Sequence, residues 1–170
     1  GKGVLEASVN YMVEGKGDYY LIPKKTKTEA VIDPYLYPVS GKEVLMTSLV
    51  VPILDKQKNF LGIVGIDLDL QDVQKLISGL RLTDYATAYA TFYSANGTVI
   101  STRNVSYIGK NLKEIDYQES QYVTSVLNKQ PFFMKRHSNI LQEMVMSYGA
   151  PLEIGFSGIY WTVVINIPEA

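Results

Sequence analysis

The chain has 170 residues, of which 46% are hydrophobic and 19% charged, and its formal net charge at pH 7 is -1. This is the composition of an ordinary globular protein and argues against a disordered or collagen-like chain. With no cysteine, disulfides and thiolate metal sites are excluded, and the near-zero charge without a long basic run argues against a nucleic-acid partner.

The chain is expected to begin with helical structure. Apolar residues recur near helical spacing over residues 4–14, and Gly15 and Gly17 predict the end of that helix. Asp18 is a good N-cap residue, so a second, short helix is predicted over residues 19–25. No apolar run reaches the ~20 residues that a membrane-spanning helix needs, and no signal peptide is visible.

Two extended segments follow the predicted helices. Residues 29–32 predict a short strand, and residues 33–38 are expected to be extended because each of their two prolines disfavours a helical conformation of the residue before it. The sequence Ser-Gly-Lys at 40–42 predicts a turn into the next strand.

A hairpin is the central feature of the prediction. Its strands are expected at residues 43–54 and 60–68, and the fully polar segment 55–59 is typical of a turn. A hairpin this apolar is expected near the middle of a sheet. One acid, Asp67, lies among apolar neighbours, and a carboxylate buried there without a partner would destabilise the fold. We therefore expect Asp67 either at the solvated end of its strand or facing a cation.

The rest of the chain is predicted to alternate between strands and helices. A helix over residues 69–80 is expected to be capped by Asp69, and we place a domain boundary between residues 83 and 84. The dipeptide Asn96-Gly97 predicts a type I′ hairpin turn. Further strands are predicted at 86–94, 99–101, 132–137, 143–151 and 160–167, and further helices at 111–115 and 120–127.

A weak internal repeat indicates two parts of similar build. Residues 50–67 are predicted to form strand, turn and strand, and they end in Gly-Ile-Val-Gly-Ile-Asp. Residues 144–166 show the same pattern and end in Trp-Thr-Val-Val-Ile-Asn. We therefore predict an α+β fold of two lobes, each a curved antiparallel sheet flanked by helices.

Several segments together carry a resemblance to a known family. An Asp-Pro-Tyr segment at 33–35 is followed by Leu-Gly-Ile-Val-Gly-Ile-Asp-Leu-Asp-Leu at 61–70. The second half contains Ser-Ala-Asn-Gly-Thr-Val-Ile-Ser, Ile-Gly-Lys-Asn-Leu and a final Trp-Thr-Val-Val-Ile-Asn-Ile-Pro. In this order, over nearly the whole chain, they resemble the double Cache (PDC, PAS-like) sensor domain, the extracytoplasmic part of chemoreceptors and sensor histidine kinases.

The resemblance implies an architecture and a location. Residues 1–83 would form the membrane-distal, ligand-binding lobe, and residues 84–170 the membrane-proximal lobe. The family's long N-terminal helix and first strand are expected upstream of this sequence, and an exit into a transmembrane helix downstream. The domain would then be extracytoplasmic, either periplasmic or extracellular, and tethered to the membrane by flanking helices, with a homodimer left open.

The resemblance also implies which residues bind a small molecule. Carried over position by position, they are Tyr19 or Tyr20, Tyr35 and Asp67, with Thr47 where the family often has a hydroxyl that faces the ligand. Packing within a helix or sheet is an alternative for each tyrosine and for Thr47, and a capping or turn-fixing role is the alternative for Asp67.

Two departures from the family pattern bear on the ligand. Gly17 stands where the amino-acid-binding members carry an arginine, and Tyr37 stands where they carry an aspartate. Both argue against an ordinary α-amino-acid site. Tyrosine faces around one carboxylate, including Tyr37, would instead suit an ammonium group, so we expect an amine, a betaine or an amino-acid-like ligand.

Catalysis has little support in the sequence. His137 is the only histidine, and no phosphate loop, metal-spaced cluster or nucleophile elbow is present. We expect no catalytic residue, no metal and no cofactor in this domain, although the full-length protein could be a histidine kinase. The rival hypothesis is a structural or protein-interaction module in which the pocket is vestigial.

Overall fold

The structure is a computed structural model that describes residues 8–80, 87–116 and 120–169. The chain divides into two compact units. The first comprises residues Gly1–Ile32 and Ser48–Asp67, and the second comprises Asp33–Thr47 and Leu68–Ala170. The boundary predicted between residues 83 and 84 lies outside the described residues and stays a prediction.

The elements confirm an α+β fold of antiparallel sheets with a few helices. The helices are α1 (Asp18–Thr26), α2 (Gln71–Ser78), α3 (Leu112–Ile115) and α4 (Gln121–Leu127). The strands are β1 (Ala30–Val31), β2 (Tyr35–Val39), β3 (Lys42–Leu54), β4 (Phe60–Asp69), β5 (Tyr89–Tyr93), β6 (Val99–Ser101), β7 (Phe132–Ser138), β8 (Glu143–Glu153) and β9 (Tyr160–Pro168).

The first sheet is built around β3, the long apolar strand of the predicted hairpin. β3 pairs with β1, β2 and β4, and β2 runs antiparallel to it with Tyr35 opposite Met46. The predicted turn before β3 is confirmed, because Ser40 and Gly41 both have positive φ. Within the described residues β4 pairs with β3 alone, so it is an edge strand, and only β3 has the predicted place in the middle of the sheet.

The second sheet has five antiparallel strands in the order β6-β5-β9-β8-β7. One face of this sheet is covered by α3 and α4, each of which begins with a side-chain cap: Asn111 accepts from the Lys113 N–H, and Ser120 accepts from the Val123 N–H. The core between them consists of fully or almost fully buried side chains. They are Tyr93, Val99, Leu112, Tyr122, Val123, Val126 and Val164.

Helix prediction was wrong near the start of the chain. Residues 8–14, the described part of the helix predicted at 4–14, are not helical, and residues 10–14 form bends and turns. Asn10 has a positive φ of 63°, which a helix does not allow. Asp18 is also not the N-cap of α1: Gly17 takes that position, while Asp18 is the first helical residue and accepts the Gly15 N–H.

The turn predicted at Asn96-Gly97 is present but is not of type I′. That type needs positive φ at both central residues, and of this pair only Gly97 has it, at 89°. Ser94 and Thr98 close the loop instead, through a Ser94 N–H to Thr98 carbonyl bond of 2.9 Å. The Asn96 side chain accepts from the Thr98 N–H and hydroxyl, and this local bonding fixes the turn.

Candidate functional site

Asp67 lies near the end of the edge strand β4 and is exposed to solvent. Its Oδ1 accepts a hydrogen bond of 2.6 Å from the Ser48 hydroxyl on β3, and Ser48 itself is buried. Of the two expectations for this acid, the solvated end of a strand is the one observed. Ser48 was not predicted as the partner of Asp67, because its only signal in the sequence is a hydroxyl within an apolar strand.

Tyr20 is the centre of an aromatic cluster in the first unit. Its ring meets the rings of Tyr11 and Phe60 edge-on, with centroids 5.0 and 5.3 Å apart. The neighbouring Tyr19 hydroxyl forms a hydrogen bond with the Ser8 hydroxyl. These contacts hold α1 against β4 and against the turns before α1. They match the packing alternative for both tyrosines, and a ligand contact by either stays a prediction.

The Tyr20 ring also attracts a cation of the same chain. The Lys24 ammonium lies 5.4 Å from the ring centroid, within the range of a cation–π interaction. The same ammonium is 3.9 Å from the Met12 sulfur. This part of the first unit therefore already shows the type of contact that an amine ligand would make with a tyrosine face.

The other predicted ligand contacts belong to the second unit. Tyr35 and Tyr37 lie on one face of β2, with ring centroids 6.4 Å apart in an edge-on arrangement. Tyr37 is 54% exposed, whereas Thr47 is buried within β3. A ligand contact by any of the three stays a prediction.

The second unit also contains an open groove of about 490 Å³. It is formed by β2, the start of β3, α2 and the segment after β6. Its walls include Leu36, Leu45, Gln74, Ser101 and Ile108. None of the six predicted site residues lines this groove, so it neither supports nor contradicts the predicted site.

Burial raises the pKa of several titratable groups in the described residues, among them Asp33 and Tyr89. Asp33 precedes β2, and burial raises the pKa of its carboxyl even though the Asn96 N–H donates to it at 3.1 Å. Burial raises the pKa of the Tyr89 phenol on β5 to about 12. Neither group is among the predicted site residues.

The part of the chain that the structure describes has neither a metal-binding cluster nor a membrane-spanning helix. There, no group of three or more histidine, aspartate or glutamate side chains is arranged to hold a metal ion. No described helix is long and apolar enough to cross a membrane.

Sequence comparisons connect the chain with chemotaxis receptors. Residues 2–75 match the family model described as methyl-accepting chemotaxis protein-like, first PDC sensor domain. Over 157 residues the chain is 26% identical to methyl-accepting chemotaxis protein TlpQ of Pseudomonas aeruginosa. That match covers 89% of this chain and 21% of the relative, so the chain spans about a fifth of that receptor.

Solved structures share the fold. The extracellular domain of mmHK1S-Z3, described as a histidine kinase, has a TM-score of 0.79 and 24% identity, and covers 99% of this chain and 58% of its own. The ligand-binding domain of the amino acid chemoreceptor PctB of Pseudomonas aeruginosa, in complex with L-Arg, has a TM-score of 0.66 and 19% identity. The match covers 98% of this chain and 64% of the PctB domain. The resemblance to double Cache sensor domains is thus confirmed: residues 2–75 are similar to the first PDC sensor domain of chemotaxis proteins, and the chain shares the fold of the solved sensor domains.

Proposed function

We propose that the chain is the extracytoplasmic ligand-binding part of a transmembrane receptor and that it binds a small organic amine, a betaine or an amino-acid-like molecule. The relatives support the location, because one is described as extracellular and another is a chemoreceptor ligand-binding domain. The chain spans only part of each relative, so the output of the whole protein, as a chemoreceptor or a histidine kinase, belongs to the proposal.

One observation carries the ligand class: the exposed Asp67 carboxylate at the end of β4, oriented by the Ser48 hydroxyl. A carboxylate held in one orientation is a suitable acceptor for an ammonium or guanidinium group, because hydrogen bonds between charged groups are about twice as strong as neutral ones. Both residues lie within the segment 2–75 that matches the PDC family model.

The chemistry of a known ligand in the family agrees with this proposal. L-Arg, which is bound in the PctB domain, carries two cationic groups and one carboxylate. Asp67 can accept from a cation, while Gly17 and Tyr37 replace the charged side chains expected for an α-amino acid. We therefore place simple and methylated amines first among the ligands. Binding would act by shifting the population between two states of the sensor.

A thermal-shift screen of the chain against amines, betaines, amino acids and small carboxylates tests the proposal. A ligand present at about 100 times its dissociation constant adds about 2.7 kcal/mol of stability, which is visible as a raised Tm. For the best ligand, Asp67→Asn should weaken binding by about tenfold or more, which corresponds to a lost charge-assisted hydrogen bond.

Two further variants make the test specific. Asp72→Asn removes an exposed carboxylate on α2 that pairs only with Lys75 among the described residues, and it should leave binding unchanged. Ser48→Ala removes the hydroxyl that donates to Asp67 Oδ1 and should give an intermediate loss of binding. Equal affinity in Asp67→Asn and the parent chain would remove Asp67 from the site, and hits confined to carboxylates would contradict the ligand class.

The interaction module remains the second candidate function, and one observation favours it. On β2, Leu36, Tyr37 and Val39 are 56%, 54% and 43% exposed, which is unusual for three large apolar side chains on one short strand. If no small molecule in any class raises the Tm, this candidate gains support. Loss of a partner protein on Leu36→Ser would then be the measurement that establishes it.

A further inference from the structure

Each of the two hairpins of the repeat contains a side-chain hydrogen bond at the same place. The Ser48 hydroxyl of β3 donates to Asp67 Oδ1 of β4 at 2.6 Å, and the Ser147 hydroxyl of β8 donates to Asn166 Oδ1 of β9 at 2.8 Å. In both hairpins the two residues are 19 positions apart in the chain. The same shift in residue number therefore relates Ser48 to Ser147 and Asp67 to Asn166. These residues occupy equivalent positions in the two sheets.

Strand pairing extends the correspondence to the neighbouring strand. Tyr35 of β2 lies opposite Met46, two residues before Ser48. Arg136 of β7 lies opposite Val145, two residues before Ser147. Arg136 thus occupies the position in the second sheet that Tyr35, a predicted ligand contact, occupies in the first.

The Arg136 side chain packs against Tyr122 of α4, and only 11% of it is exposed. Its Nε donates to the Ser147 hydroxyl at 3.0 Å, and its Nη1 donates to Asp116 Oδ2 at 3.4 Å. The centre of the guanidinium lies 3.5 Å from the centroid of the Tyr122 ring. A carboxylate, a hydroxyl and an aromatic face are the groups with which proteins recognise a free organic cation.

The groups around this guanidinium are themselves held in place. The Tyr122 hydroxyl is hydrogen-bonded to the Tyr93 hydroxyl at 2.8 Å, and both rings are buried. The Asn139 side-chain amide donates to Asp116 Oδ1 at 3.4 Å, and the Asp116 side chain is 14% exposed. The groups that contact the guanidinium are therefore held in place by other residues and not by the arginine alone.

We propose that the Arg136 side chain acts as an intramolecular ligand, whose guanidinium occupies a cation-binding site on the second sheet. Its guanidinium contacts Ser147, whose equivalent in the first sheet is Ser48, the hydrogen-bond partner of Asp67. The site around it recognises guanidinium and amidinium groups, and it accepts a free alkylguanidinium once the arginine side chain is removed. This inference concerns the second sheet alone and does not depend on the proposed function.

Chemical rescue of Arg136→Ala in the full chain tests the proposal. The substitution should lower the Tm, because the partly buried Asp116 carboxylate loses its cation. Ethylguanidinium at millimolar concentration should restore the Tm in a saturable way, while ethylurea, its neutral analogue, should not. The parent chain should show no saturable rise.

Matched variants make the result specific. Arg103→Ala removes an exposed arginine that donates to the Thr87 carbonyl, and it should show no rescue. Asp116→Ala in the Arg136→Ala background should weaken ethylguanidinium binding by about tenfold or more, as expected for a lost charge-assisted hydrogen bond. If Arg136→Ala does not fold, Arg136→Met keeps most of the side-chain volume and is probed with guanidinium itself.

The proposal fails on either of two results. A folded Arg136 variant that no guanidinium compound stabilises shows that the surrounding groups form no site. An equal, saturable rise in the parent chain or in Arg103→Ala shows that the probe binds elsewhere. The experiment needs no ligand for Asp67, so its outcome is separate from that of the amine screen.

Discussion

Two buried tyrosines of β5 offer a matched pair of substitutions with opposite expected effects. The Tyr93 hydroxyl is fully buried and hydrogen-bonded to the Tyr122 hydroxyl at 2.8 Å. The Tyr89 hydroxyl is also buried, but among the described residues no hydrogen bond of ordinary geometry reaches it, although the Ser138 side chain lies near. Replacing each tyrosine with phenylalanine removes one oxygen atom and leaves the ring.

The environment of each hydroxyl determines how much the substitution changes the free energy of unfolding. Tyr93→Phe leaves the buried Tyr122 hydroxyl without this partner, which costs about 1–3 kcal/mol. Tyr89→Phe removes a hydroxyl that is desolvated without an ordinary hydrogen bond, so the stability should be unchanged or rise by up to about 1 kcal/mol. In a chain of this length, 1 kcal/mol corresponds to about 2–4 °C in Tm.

Urea unfolding of the three proteins at neutral pH measures both changes, provided that the dependence of the unfolding free energy on urea is the same in all three. A second readout is alkaline pH. The pKa of Tyr89, about 12, is raised above the ordinary value of 10.0, so the stability that depends on its neutral form is complete below pH 10 and is lost as the pH rises through 12. Tyr89→Phe should lessen that loss. Equal destabilisation by Tyr89→Phe and Tyr93→Phe would refute this reasoning.

Two further predictions concern the loop after β5 and the acid before β2. Gly97→Ala should destabilise the chain by about 1–2 kcal/mol in urea unfolding, because Gly97 has a φ of 89° and an added Cβ would lie 3.0 Å from Leu127 Cδ2. Gly155 also has a positive φ but has open space around it, so Gly155→Ala should destabilise the chain less. An equal destabilisation by the two substitutions would exclude the contact with Leu127 as the cause. Burial raises the pKa of Asp33, so the stability that its protonated form provides is present below pH 3.8 and lost as the pH rises through the folded-state pKa. Asp33→Asn, which still accepts the Asn96 N–H, should remove that loss, and parallel stability–pH profiles of the two proteins would contradict the assignment.

The strands were predictable because their signal is local. Alternating and β-branched residues placed β3, β4, β8 and β9 within a few residues of their observed bounds. The helix at 4–14 was wrong in its described part because periodicity cannot detect a left-handed residue such as Asn10. A backbone conformation set by one residue outweighs a weak apolar stripe.

The site was only partly predictable, since side-chain partners depend on strand register. Asp67 was identifiable as a lone acid in an apolar strand, but its partner Ser48 was not, because 19 residues separate them. Arg136 was not predicted as a site residue. Strand alternation could have found it: its neighbour Lys135 is 53% exposed, whereas the Arg136 side chain is 11% exposed.

The acceptors at the equivalent positions of the two hairpins differ in charge, and burial explains the difference. Asn166 is fully buried, and its amide donates to Thr91 Oγ1 at 3.2 Å and to the Val164 carbonyl at 3.4 Å. A carboxylate there would have no hydrogens for these bonds and would be charged away from water. Asp67 is exposed to solvent, so its carboxylate can stay hydrated and does not have to donate hydrogen bonds within a core. The hairpin position thus holds an amide where the side chain is part of the core and an acid where the side chain is exposed to solvent, and this difference supports the proposal that a ligand binds at Asp67.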